Sequence, residues 1–137
     1  MRKVVFDTNV WVSGLLWNGV PRALIELALR GHIRVAVSPW MLAELKDVLE
    51  RPKFGLGELT AFRFVREVED LCELVAPEIV PALIPKDPDD DHVVACAIAF
   101  DAEIIATGDE HLLALRGHLG VRCLTPAEAL LRLAPNS

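Results

Sequence analysis

The sequence predicts an α/β fold: a central, mostly parallel five-stranded sheet with helices on both faces. Three observations predict it. Short β-branched runs alternate with stretches of helical spacing along the whole chain. Turn or cap signals such as Asp7-Thr8-Asn9, Ser38-Pro39, Gly108-Asp109 and Thr125-Pro126 follow the runs directly. No internal repeat or low-complexity stretch divides the 137 residues, so residues 1–137 are expected to form one domain, long enough for a real core. Strand–helix alternation of this kind implies a parallel sheet covered on both sides.

The elements follow in order. Arg2-Lys3-Val4-Val5-Phe6-Asp7 reads as a buried strand. Pro21 to Leu29 has helical spacing, with Leu24, Leu27 and Ala28 on one face and Gly31 as a stop. Ile33 to Val37 is the second strand. Ser38 then serves as N-cap and Pro39 as first-turn proline of a helix reaching about Leu49, which Arg51-Pro52 ends. Gly55 to Gly57 reads as a turn and Glu58 to Leu71 as a helix. Glu73-Leu74-Val75 is a short third strand, and the proline-rich stretch from Pro77 to Pro88 is a loop. Asp89-Asp90-Asp91 place negative charge at the N-terminus of a helix running to about Phe100, where it is favourable. Glu103 to Thr107 is the fourth strand, Gly108 to Leu115 a short helix, Val121 to Leu124 the fifth strand and Ala127 to Leu133 the last helix.

Composition narrows the function classes. With 53% hydrophobic and 25% charged residues, the chain has the balance of a folded soluble protein. No apolar run approaches the roughly 18 residues that span a bilayer, and Arg2-Lys3 followed by Val-Val-Phe-Asp is too short and too soon acidic for a signal peptide. No membrane association is therefore expected. The three cysteines, Cys72, Cys96 and Cys123, lack disulfide or zinc spacing and read as reduced core thiols of a cytoplasmic protein. A net charge of −6 argues against nonspecific adhesion to nucleic acid. It does not exclude an enzyme acting on nucleic acid, because acids of a possible site supply much of the excess. Arg22 to Arg66 holds eight of the fourteen Lys and Arg residues, among them Arg22, Arg51, Lys53 and Arg63 as candidate backbone contacts.

In parallel sheets the functional crevice lies beyond the carboxyl ends of the strands. Asp7 and Asp109 each follow a strand and should face it. Glu44 lies about six residues into the helix that leaves the second strand, roughly 9 Å along its axis. Asp91 opens its helix near the same edge. Each acid also has an ordinary structural role: Asp7 and Asp89 to Asp91 as helix caps, Asp109 as a turn residue, Glu44 as half of a surface pair. Four carboxylates packed together repel, and one would keep its proton unless a cation compensates. Mg²⁺ or Mn²⁺ suits such oxygen ligands, and carboxylate-held cations of this kind support phosphodiester hydrolysis.

The ordered set of motifs resembles the PIN-domain ribonucleases, found as toxins of prokaryotic toxin–antitoxin pairs. It consists of Val5-Phe6-Asp7-Thr8-Asn9, Ser38-Pro39-Trp40-Met41-Leu42-Ala43-Glu44-Leu45, Asp87-Pro88-Asp89-Asp90-Asp91-His92-Val93-Val94-Ala95-Cys96-Ala97 and Ala106-Thr107-Gly108-Asp109. The resemblance implies that Asp7, Glu44 and Asp91 are the core catalytic and metal-binding acids and that Asp109 is the fourth. Thr8, Asn9 and Thr107 are implied as hydroxyl or amide support. The aspartate run leaves its register open: spacing to Val93–Ala97 favours Asp91, with Asp90 the alternative. An RNA substrate, a Mg²⁺ or Mn²⁺ cofactor, a cognate antitoxin and a homodimer are implied as well.

Other chemistries fit less well. Phosphatases that form an aspartyl-phosphate carry a second acid two residues after the nucleophile, where this chain has Asn9. Receiver domains need a downstream lysine, and none occurs from Glu103 onward. A PIN-like scaffold without catalysis, or a ribonuclease of RNA processing outside toxin systems, remain alternatives. His92 and His111 neighbour acids but read as surface residues. Trp11, Trp17 and Trp40 read first as core or interface aromatics and second as stacking platforms for bases.

Overall fold

The computed structural model describes residues 1–84, 87–115, 117 and 120–135. Its five strands are β1 (Arg2–Phe6), β2 (Ile33–Val37), β3 (Glu73–Leu74), β4 (Ile104–Ala106) and β5 (Arg122–Leu124). They form one sheet in the order β3-β2-β1-β4-β5, and every pairing is parallel. The register places Val5 beside Ala36 and Phe6 beside Ala106. From β1 the chain builds outward through β2 to β3. It then crosses back to lay β4 on the other side of β1. The crossover direction reverses between β1 and β4, which makes this gap the switch point where a parallel sheet opens a crevice.

The described helices are α1 (Thr8–Leu16), α2 (Val20–Leu29), α3 (Pro39–Leu49), α4 (Gly57–Leu71), α5 (Asp89–Phe100), α6 (Glu110–Leu113) and α7 (Pro126–Leu133). Alternation along β1 divides the core in two. Val4 and Phe6 face one layer with Trp11, Leu24, Leu45, Leu49, Val68 and Ala129. Val5 faces the other with Met41, Val93, Val94, Ala97 and Leu112. Period-2 strands buried on both faces have this signature. α3 contributes Leu45 and Leu49 to the first layer and Met41 to the second, so it spans the carboxyl edge of the sheet.

Most expected elements are present with ends moved by a residue or two. Two helix N-termini after strands have a clear side-chain reason. Ser38 Oγ accepts from the Met41 N–H at 3.2 Å, and Thr125 and Glu128 close a reciprocal capping box. The exception is α1, a helix that the sequence did not predict. Its residues, TNVWVSGLL, include three β-branched residues and a glycine, a poor propensity set. What makes it helical is tertiary: Trp11 is buried against Phe6 with ring centroids 4.9 Å apart, and Asp7 caps the first turn. The loop expected from Pro77 to Pro88 is free of regular structure where described, and residues 85 and 86 lie outside the described set.

The three cysteines carry no disulfide. Burial pushes the thiols of Cys72 and Cys96 up to about 12 and that of Cys123 up to about 11, which keeps them protonated near neutral pH. Among the described residues no helix is long and apolar enough to cross a membrane.

Candidate carboxylate centre

Four elements deliver acids to the switch point. Asp7 is the residue after β1, and its backbone N–H donates to the Ala106 carbonyl at 3.0 Å, so the strand pairing itself sets its position. Its Oδ1 accepts from the Thr8 N–H at 2.8 Å, and its Oδ2 accepts from the Thr107 hydroxyl at 2.8 Å. Thr107 is fully buried, and its oxygen in turn accepts from the Asp109 N–H at 2.9 Å. The hydroxyl therefore links the ends of β1 and β4. Asp109 caps α6, accepting from the His111 N–H at 2.7 Å. On the far side, the Thr8 hydroxyl donates to Glu44 Oε2 at 2.8 Å, tying α1 to α3.

The capping roles of Asp7 and Asp109 coexist with a shared cleft. A cavity of ≈ 190 Å³ is lined by Asp7, Thr8, Asn9, Glu44, Asp87, Asp89, Asp90 and Asp109, with Val48 and Arg51 at the end of α3. Among the described residues, Asp87, Asp90 and Asp109 each offer a carboxylate oxygen within 4.8 Å of the others.

One expected member is displaced. Asp91 is buried, but its Oδ1 accepts from the backbone N–H groups of Leu83 and Ile84 at 2.9 and 3.0 Å. It pins the loop before α5 and does not line the cleft. Asp90, the alternative register, is the acid that points into it. On a helix one residue turns the side chain by about 100°, enough to exchange the cleft for the loop. Sequence carried a signal for this. Three, four and seven residues beyond Asp90 lie Val93, Val94 and Ala97, all buried, so Asp90 continues the core-facing stripe of α5. The same steps from Asp91 reach Val94 and Ala95, which are also buried, and then Ile98, which is 44% exposed, so only the third step separates the two. Asp87 also lines the cleft and was not among the expected residues; it lies just before the helix, and a helical pattern is silent about where a preceding loop returns.

The electrostatics follow from crowding. Asp90 is 6% exposed and, among the described residues, no hydrogen-bond donor reaches its Oδ2. Desolvation first, and then the charges of Asp7, Asp109 and Asp87, push its pKa up to about 8. Asp7 is also raised, chiefly by burial, although the Thr107 and Thr8 hydrogen bonds oppose the shift. Glu44 is raised mainly by desolvation as well. A buried carboxylate oxygen without a donor is costly. Carboxylate oxygens of Asp87 and Asp109 converge on Asp90, and hard divalent cations prefer such ligands. The residues present therefore fit a Mg²⁺ or Mn²⁺ ion.

The remaining expected residues are placed as follows. Asn9 is exposed at the cleft. Arg51 reaches it, whereas Arg22 pairs with Glu26 on α2. Trp11 is core, Trp17 is 56% exposed, and Trp40 stacks on His92.

A family model described as PIN domain matches residues 3–111. A chain in the crystal structure of VapBC2 from Rickettsia felis, bound to a DNA fragment from their promoter, shares the fold with a TM-score of 0.64. The match covers 90% of this chain and 98% of that one at 15% identity. No curated protein sequence matches.

Proposed function

The chain belongs to the PIN-domain family, and from that premise we propose that it is a metal-dependent endoribonuclease. The observation that carries the reading is the unpartnered, buried Oδ2 of Asp90 among the carboxylates of Asp87 and Asp109 at the switch point. Asp90, Asp87 and Asp109 would hold a Mg²⁺ or Mn²⁺ ion, with Asp7 and Glu44 facing the same cleft. Bound there, the cation supplies positive charge for the phosphoryl oxygens and lowers the pKa of water.

The chain's own residues then have distinct tasks. Thr107 and the Thr8 amide hold Asp7 in one orientation, and the Thr8 hydroxyl does the same for Glu44. Asp90 keeps a proton near neutral pH while no cation compensates its neighbours, and it gives that proton up when one does. Arg51 offers a positive group to a phosphate at the rim of an otherwise acidic cleft. The full 137-residue chain would form the one domain that does this.

The cellular role we propose is that of a cytoplasmic toxin, homodimeric and held by a cognate antitoxin. Support comes from the shared fold with a VapBC2 chain. The test is cleavage of a mixed panel of single-stranded RNAs by the purified chain in Mn²⁺, Mg²⁺ and EDTA. Cutting is expected with at least one metal and none in EDTA. Equal cutting in EDTA, or none with either metal, would contradict the reading.

A further inference from the structure

A second cavity, of ≈ 250 Å³ and mainly apolar, opens beside Ser38 and Pro39, where the chain leaves β2 for α3. Trp40 and His92 both line it. Their rings lie parallel, 4° apart in plane with centroids at 3.9 Å, so α3 and α5 together present an aromatic stack. Both residues are only half-buried, and among the described residues neither ring spends a nitrogen on a hydrogen bond to the protein. Pro77 and Val80 also line it.

The position of this cavity says what it could take. Trp40, Glu44 and Val48 are spaced by four residues along α3, so they follow one stripe of the helix, and Arg51 comes just past its end. The last three line the carboxylate cleft and the first lines the aromatic cavity. From Trp40 to Glu44 the rise is roughly 6 Å, close to the step between neighbouring nucleotides of an extended strand. On α5 the same adjacency recurs, with Asp90 in the cleft and His92 in the stack. A flat aromatic cavity one nucleotide away from a phosphodiester site fits a nucleobase. Aromatic side chains bind bases of every sequence through their π-faces.

Resting on the ribonuclease reading, we propose that the Trp40–His92 cavity is a base-binding subsite, which seats a base flanking the scissile phosphate of a single-stranded RNA. Trp40 and His92 are then binding residues with no part in the bond cleavage.

The experiment is an abasic scan. An oligoribonucleotide that the protein cuts at one bond is compared with versions lacking a single base at each position. Cleavage kinetics are measured for wild type, Trp40→Ala and Trp40→Phe, and Mn²⁺ binding is measured by calorimetry. The proposal expects one position next to the cut whose base removal raises KM about tenfold or more. Trp40→Ala should raise KM similarly with intact RNA, add little with that abasic RNA and leave Mn²⁺ affinity unchanged; Trp40→Phe should recover most of the loss. A flat abasic scan on wild type overturns the subsite while leaving the nuclease standing, and so does a Trp40→Ala variant with normal KM. Absence of any cleavage by wild type overturns both readings together.

Discussion

Asp90 is the residue on which most of the site's physics converges. Its folded-state pKa of about 8 lies above the ordinary carboxylate value of about 3.9, because burial and the charges of Asp7, Asp109 and Asp87 all oppose ionisation. Between those two values the folded protein holds a proton that the unfolded chain has released. Without metal, Asp90 therefore contributes stability that is full below about pH 4 and is lost as pH rises through about 8. Asp90→Asn cannot ionise and escapes this loss. In EDTA, its melting temperature should exceed that of wild type by several degrees at pH 9, and the two should converge toward pH 4. Identical melting temperatures across the range would show that Asp90 is not under this strain. Asp91, its neighbour, has the opposite character: two backbone amides satisfy it, and an asparagine Oδ1 can accept the same pair.

At the scale of elements, α1 and α2 show how the cleft is braced from behind. α1 starts at Asp7 and packs against α2 through Gly14, where an added Cβ would stand 2.5 Å from Ile25 Cδ1 and 2.9 Å from the Pro21 carbonyl oxygen. In an open helix, Gly→Ala gains about 1 kcal/mol. Here the backbone oxygen cannot swing aside, and overpacking of this kind costs about 1–3 kcal/mol. Gly14→Ala is expected to lower stability in urea unfolding; a gain would mean that the two helices separate easily. The same helix marks a limit of the sequence. Strand ends were legible, because β-branched runs stop at Asp7 and Asp109 and nothing else follows so sharply. α1 was not, since its propensities are poor and its helicity depends on burying Trp11 in the core layer that holds Phe6, Leu24 and Val68. The choice between Asp90 and Asp91 was half legible: the buried stripe of α5 contained it, but counting from Val93–Ala97 did not expose it. Asp87 and the Trp40–His92 stack depend on how loops and helices meet, which local pattern does not encode.

At the scale of the molecule, the five-stranded parallel sheet does two things at once. Its two apolar layers bury β1 completely beyond Lys3, and its reversal between β1 and β4 leaves an opening that helices cannot cover. Acids gather there because four elements meet there: β1 ends with Asp7, β4 leads to Asp109, α5 begins with Asp90 in its first turn, and α3 passes with Glu44. The net charge of −6 follows in part from this gathering, so an acidic chain and a nucleic-acid substrate are compatible once a cation sits between them. The most direct measurement is RNA cleavage in Mn²⁺ by wild type, Asp90→Asn and Asp91→Asn side by side, with each variant shown to be folded. Asp91→Asn is expected to retain most of the wild-type rate and Asp90→Asn to lose it by a hundredfold or more, on the order expected for removing a charge-bearing catalytic group. Loss in Asp91→Asn with full activity in Asp90→Asn would contradict this.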